Sequence, residues 1–371
     1  MVSTHKRLGC RMQLKILSEN EYLQYYKFYK SIYKNRPRKK DDMASMLLSI
    51  LKNKSTINQR VKLKPLLVYR DGVPIMGTIL AQVDAMQPYI QMSFFEAVSD
   101  DEGAFKLILE EAKATGDLWG ATSISGSLNI HVNYGLGFLS SHYDQECSFG
   151  MNYNPEFYNH LFIKAGFETI DLVTYKQDMK CFELPFSERL LNRLNAKYTV
   201  RTMDYKHFKR DIQIYTELNN DAFKHHLFYY KRSFKEDYEL FKPFKMLLKE
   251  ENLLIVEKDG RPIGFMLWYP DYNALIPSGE KLSLKTVIAH KILHQQIKTF
   301  KIVEIGVIES EQKSGAILSL FEALYHRTKD RYDYCESSWI LKSNSDSSNF
   351  GIKWSEGTYK SYAAYTRPIH V

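Results

Sequence analysis

Cysteine is scarce in this chain of 371 residues. Its four cysteines, Cys10, Cys147, Cys181 and Cys335, form no CxxC pair, so neither a disulfide framework nor a cysteine zinc cluster is indicated, and a reducing, cytoplasmic setting is expected. No run approaches the roughly 18 consecutive apolar residues of a spanning helix, and the start MVSTHKRLGCRMQLKIL lacks the apolar core of a signal peptide. No membrane partner is therefore expected. Nucleophile-elbow and P-loop patterns are also missing, and Gly135-Leu136-Gly137 has no third glycine to complete a dinucleotide fingerprint. His290 and His294 stand one helical turn apart, but Lys291 occupies the place where a metalloprotease carries glutamate, so no metal is expected.

What is present is a globular composition. With 44% hydrophobic residues, long disorder is excluded, and at roughly 100–200 residues per domain the length suggests two domains. The net charge of +8 is a bias towards anionic ligands. Between Tyr22 and Lys40, lysines and arginines alternate with aromatic rings, as in single-strand nucleic-acid binders. Tyr22, Tyr25, Tyr26, Tyr29, Ile32 and Tyr33 nevertheless fall on one helical stripe, which predicts buried rings and a solvated basic face. That argues against a nucleic-acid partner.

The chain carries an internal repeat. Asp71-Gly72-Val73-Pro74-Ile75 returns as Asp259-Gly260-Arg261-Pro262-Ile263, 188 residues later, each time between two apolar runs, and Asp-Gly in that setting predicts a hairpin. Phe162-Ile163-Lys164 matches Gly351-Ile352-Lys353 at a shift of 189, each before an aromatic strand, LVTYK and YAAYT. Two similar units follow, with a long loop from about residue 130 to 154 in the first and extra strand and helix between Trp268 and Phe300 in the second. Their boundary is expected near 187–198.

Each unit contains a buried strand, a polar turn and an amphipathic helix. In the second unit Ile302–Ile308 leads through Glu309–Ser314 to Gly315-Ala316 and a helix burying Ile317, Leu320, Phe321 and Leu324. The first amides of such a helix have no intrahelical acceptor, and a glycine lets a phosphate approach them. In the first unit the same turn reads Ser99-Asp100-Asp101-Glu102-Gly103, whose three carboxylates repel an anion.

Gln312-Lys313-Ser314-Gly315-Ala316-Ile317 resembles the pyrophosphate-binding signature of the GNAT superfamily of acyl-CoA N-acyltransferases, with Ile317 in place of a small residue. Glu336-Ser337-Ser338-Trp339-Ile340-Leu341 with Asn344 resembles the fifth strand and following asparagine of its tandem two-domain members, and Asn152–Tyr158 with Gly166-Phe167 is similar to the closing stretch of the family at large. The resemblance implies an α/β protein of two GNAT-like domains, each a mixed sheet flanked by helices. The first, 12–190, would be a scaffold or substrate wall, and the second, 197–371, would hold acyl-CoA as co-substrate, acetyl-CoA being expected. It implies pantetheine pairing near Ile305 and Val307, phosphate contacts from Gln312, Gly315 and Ala316, and Asn344 orienting substrate. Glu336 is the preferred general base, Glu304 the other acid, and Tyr359 a candidate acid for the leaving thiolate, because Asn349-Phe350-Gly351 offers no hydroxyl where the family often has one. The implied activity is direct transfer of an acyl group to a small-molecule or peptide amine. A Fem-type transferase using aminoacyl-tRNA and an inactive CoA-ester binding module are the alternatives.

Overall fold

The computed structural model describes residues 12–34, 38–40, 43–277, 280, 283–285, 288, 291, 297–344, 355 and 357–370. His290, His294, Arg36, the side chain of Tyr33 and residues 349–353 lie outside the described residues.

The first half runs β1 (Met12–Ile16), α1 (Tyr22–Lys34), α2 (Ala44–Leu51), β2 (Val61–Arg70), β3 (Val73–Val83), β4 (Tyr89–Ala97), α3 (Glu102–Trp119), β5 (Ser123–Gly126), β6 (Phe138–Leu139), α4 (Phe157–Lys164) and β7 (Glu168–Asp178). The second continues with α5 (Glu188–Lys197), β8 (Thr199–Thr202), α6 (Phe208–Ala222), α7 (Phe234–Phe244), β9 (Leu253–Lys258), β10 (Arg261–Pro270), β11 (Thr299–Val307), α8 (Ala316–Thr328), β12 (Tyr334–Ser337), β13 (Ile340–Leu341) and β14 (Thr358–Pro368). Both Asp-Gly turns close hairpins. Asp71 and Gly72 have φ of 50° and 82°, Asp259 and Gly260 of 51° and 73°, the paired positive values of a type I′ turn, whose twist matches that of the strands it joins. Between Pro270 and Thr299 the described residues form a short 3-10 turn, Tyr272–Leu275, and helical positions at Leu284, Lys285, Ile288 and Lys291, and no strand.

The halves join edge to edge in one sheet of order β1-β2-β3-β4-β5-β14-β7-β12-β11-β10-β9-β8. This order is a palindrome of the repeat: β4 pairs parallel with β5 as β11 does with β12, and the other steps are antiparallel on both sides. At its centre the two strands matched by the repeat pair with one another, Leu172 opposite Tyr362 and Ile170 opposite Ala364. The last strand of the second half thus completes the sheet of the first, while β7 of the first pairs with β12 of the second, Cys335 opposite Gln177. Each half buries an apolar cluster on either face. In the first, Tyr25, Tyr29 and Ile32 of α1 pack on one side, and Phe105, Ile108, Leu109 and Ala112 of α3 on the other. In the second, α8 with Leu320 and Leu324 faces α6 with Ile212 and Tyr215 across the sheet.

Candidate active site

Strands β11 and β12 pair only from Thr299 to Ile302 and from Tyr334 to Ser337. Beyond them β11 stays bonded to β10 as far as Val307, but its other edge has no strand partner among the described residues. Through this opening runs a cavity of about 490 Å³ that reaches both faces of the sheet. On one side it is bounded by Ile317, Phe321 and Leu324 of α8, on the other by Tyr215 of α6 and by Phe241 and Phe244 of α7. Val132, Asn133 and Gly135 bring the long loop of the first half to its wall.

Glu304 borders this cavity. Its Oε2 accepts from Asn219 Nδ2 at 2.6 Å and from the Tyr215 hydroxyl, both on α6, whereas Oε1 accepts no hydrogen bond among the described residues. Behind this pair lies a buried ion pair, Arg232 Nη2 to Asp237 Oδ1 at 2.9 Å. Burial pushes the Asp237 carboxyl up to about 6, against the pull of Arg232. Neither Asn219 nor Arg232 belongs to a sequence motif. A hydrogen-bonding asparagine on the same helix face as a buried tyrosine, four residues apart, was the available signal.

Glu336 falls elsewhere. It is 9% exposed, 4.0 Å from Lys176 Nζ, and is absent from the cavity wall, which takes Cys335 and Ser337 of the same strand. Tyr359 also lies off the wall. Its hydroxyl donates to Gln145 Oε1 at 2.5 Å, and burial, helped by the charge of Glu336, pushes it up to about 12. Asn344 and Ile305 do line the cavity, while Val307 is buried against the hairpin of the same half.

At the end of β11 the chain turns through Glu309–Glu311 into α8. Gly315 is the N-cap residue with φ 94°, a conformation in which side chains are strained, and Ala316 is buried behind it. Gln312 is exposed beside the turn. The corresponding start of α3 is closed: Asp101 accepts from Ala104 N at 3.0 Å and pairs with Arg70, and Glu102 pairs with Lys164 at 2.6 Å. The opening between β4 and β5 is closed as well. Glu96 accepts from the Tyr158 hydroxyl at 2.7 Å and from Lys39, and only about 50 Å³ remains there. No group of histidine, cysteine and carboxylate side chains among the described residues could hold a metal ion, and no described helix is long and apolar enough to cross a membrane.

No protein-family model matches the chain. A solved tandem GNAT protein from the clavulanic acid biosynthesis pathway superposes with a TM-score of 0.54 and 10% identity, over 97% of this chain and 99% of that one. The chain has the tandem GNAT fold. A probable N-acyltransferase from Enterococcus faecalis V583 shares it, with a TM-score of 0.56 and 9% identity over 97% of this chain and 73% of that one. Among curated proteins, protein YghO of Escherichia coli is 25% identical over 319 residues, 80% of either chain. The bacterial ceramide synthase of Caulobacter vibrioides is 23% identical over 311 residues, 79% of this chain and 81% of its own. Within the tandem GNAT fold the two halves differ in one decisive way: the second keeps its strand opening, and the first fills it.

Proposed function

We propose that the chain is an N-acyltransferase that moves an acyl group from a coenzyme A thioester to the amine of a lipophilic acceptor, with Glu304 as the general base. The observation that carries this reading is the Glu304 carboxylate, which borders an apolar cavity at the strand opening with one oxygen held by Asn219 and Tyr215 and the other unengaged. The open amides following Gly315 suit the diphosphate, and the unpaired edge of β11 beyond Ile302 suits the amide groups of pantetheine. Acetyl would leave most of 490 Å³ unfilled, so a longer chain fits better. Each methylene moved from water to such walls gains about 0.8 kcal/mol. The name of the Caulobacter relative points the same way, to an acyl chain and a lipid amine.

The amine must be neutral to attack. Glu304 Oε1 takes the proton that the nitrogen gives up as the C–N bond forms, and the C–S bond breaks to release the thiolate, which takes its proton from solvent. Tyr359, tied to Gln145 away from the cavity, has no part in this scheme, and Glu336 yields the role of base to Glu304. Asn344, on the cavity wall, orients the acceptor. The test is thiol release from palmitoyl-CoA with and without a long-chain primary amine. Release that does not depend on the amine defeats the reading.

A further inference from the structure

The loop that the first half sends across the sheet ends its reach at Phe149, which is 3% exposed and lines the same cavity as Glu304. Its ring meets those of Phe244, Tyr269 and Tyr272 edge-on, at centroid distances of 5.8, 5.5 and 5.7 Å, and all three belong to the second half. Its backbone is held from both sides: the amide donates to Asp271 Oδ1 at 2.8 Å, and the carbonyl accepts from Lys301 Nζ at 2.9 Å. Asn273 Nδ2 donates to the Cys147 carbonyl at 2.8 Å, and Lys360 Nζ donates to that of Glu146. Side chains of the second half thus anchor this segment at three positions, Glu146, Cys147 and Phe149. Lys301 is 1% exposed, and sinking an ammonium that far costs several kcal/mol unless it is bonded, so its bond to a loop carbonyl marks a fixed position.

Lys301 precedes Glu304 by three residues on β11, at most about 10 Å along the strand. Glu304 and Phe149 line one cavity together with the rings of Tyr215, Phe241, Phe244 and Tyr269.

We propose that Phe149 closes the compartment that starts at Glu304 and sets the length of the hydrocarbon tail that a substrate places there. The tail is a straight alkyl chain joined to the reacting centre, belonging either to the acyl group or to the amine. This rests on the proposed transferase reading, and it makes the first half the part of the chain that selects substrates for a site in the second.

The experiment measures the rise in melting temperature of the full chain with two series of probes, acetyl-CoA through stearoyl-CoA and hexylamine through octadecylamine. It compares wild type with Phe149→Ala, Phe149→Leu and Phe149→Trp, the last two keeping an apolar plug should the first fold poorly. The length giving the largest rise should move to longer chains for Phe149→Ala and Phe149→Leu and to shorter ones for Phe149→Trp, in one series. Each methylene that gains a place should tighten binding about fourfold. The series that moves identifies the tail's owner. An unchanged optimum in both series, or no binding by either, overturns the assignment. Amine-dependent thiol release with an unmoved optimum retires the tail assignment alone, whereas a moved optimum without such release retires only the transfer reaction.

Discussion

Gly315 and Asp101 are the N-cap residues of corresponding helices, and they close them in opposite ways. Asp101 spends its carboxylate on the amide of Ala104, while Gly315, at φ 94°, has no side chain and leaves the start of α8 open. An uncapped helix start favours an anion, and one capped by a carboxylate repels it.

Gly315→Asp should weaken coenzyme A binding by tenfold or more, about 1.4 kcal/mol, by placing a carboxylate where the first half has one. The strain of a Cβ at this left-handed position, about 1–2 kcal/mol, should appear as a lower melting temperature and not in the affinity. Asp101→Ala should leave that affinity unchanged and lower only the melting temperature, through the lost cap. Titration calorimetry with coenzyme A reads both variants.

Glu304→Gln should lower kcat by about 10²–10⁴ with little change in the affinity for acyl-CoA, the usual size of a lost general base. Asn219→Ala, which removes one of two donors holding that carboxylate, should lower kcat about tenfold and leave KM near its original value. Glu336→Gln should spare turnover, since that carboxylate pairs with Lys176 and is not among the residues lining the cavity. Steady-state kinetics on the three variants separates the roles, and a larger loss in Glu336→Gln than in Glu304→Gln would reverse the assignment.

Burial pushes Asp271 up to about 6, the charge of Glu336 adding to the push while the Phe149 amide works against it. The folded chain therefore holds a proton that the unfolded chain releases near the usual value of 3.8. The resulting stabilisation is complete below that value and is lost as pH rises through about 6. Asp271→Asn, neutral and of the same shape, should show a flatter melting temperature than wild type between pH 4 and pH 7, with a difference of at most about 3 kcal/mol. Identical pH dependence in the two proteins would contradict a buried, proton-holding Asp271.

Residues 12–190 expressed alone should fail to give a folded monomer. They lack β14, so β5 and β7 are left with exposed edges at the middle of the sheet, where bare strand edges invite aggregation. Residues 197–371 lack β7 and leave β12 bare in the same way. Co-expression of the two pieces should recover a soluble one-to-one complex, as read by gel filtration and circular dichroism.

Much of the local structure is legible in the residues. Asp-Gly between apolar runs specified both hairpins because few other pairs tolerate two positive φ values. The three/four spacing of Phe105, Ile108, Leu109 and Ala112 specified the buried face of α3, which runs from Glu102 to Trp119. The contrast between Gly315 and the acidic start of α3 was equally plain, since a helix terminus is built from neighbours in sequence.

The sequence by itself determined both Asp-Gly hairpins, the buried face of α3 and the uncapped start of α8, all of which depend on contacts within a few residues. Only the tertiary structure decided that β14 enters the first half's sheet, that Glu304 and not Glu336 borders the cavity, and that Phe149 reaches the site of the other half. Strand partners separated by more than 180 residues are chosen by edges and faces that exist only once both halves have packed, and no local periodicity records that choice.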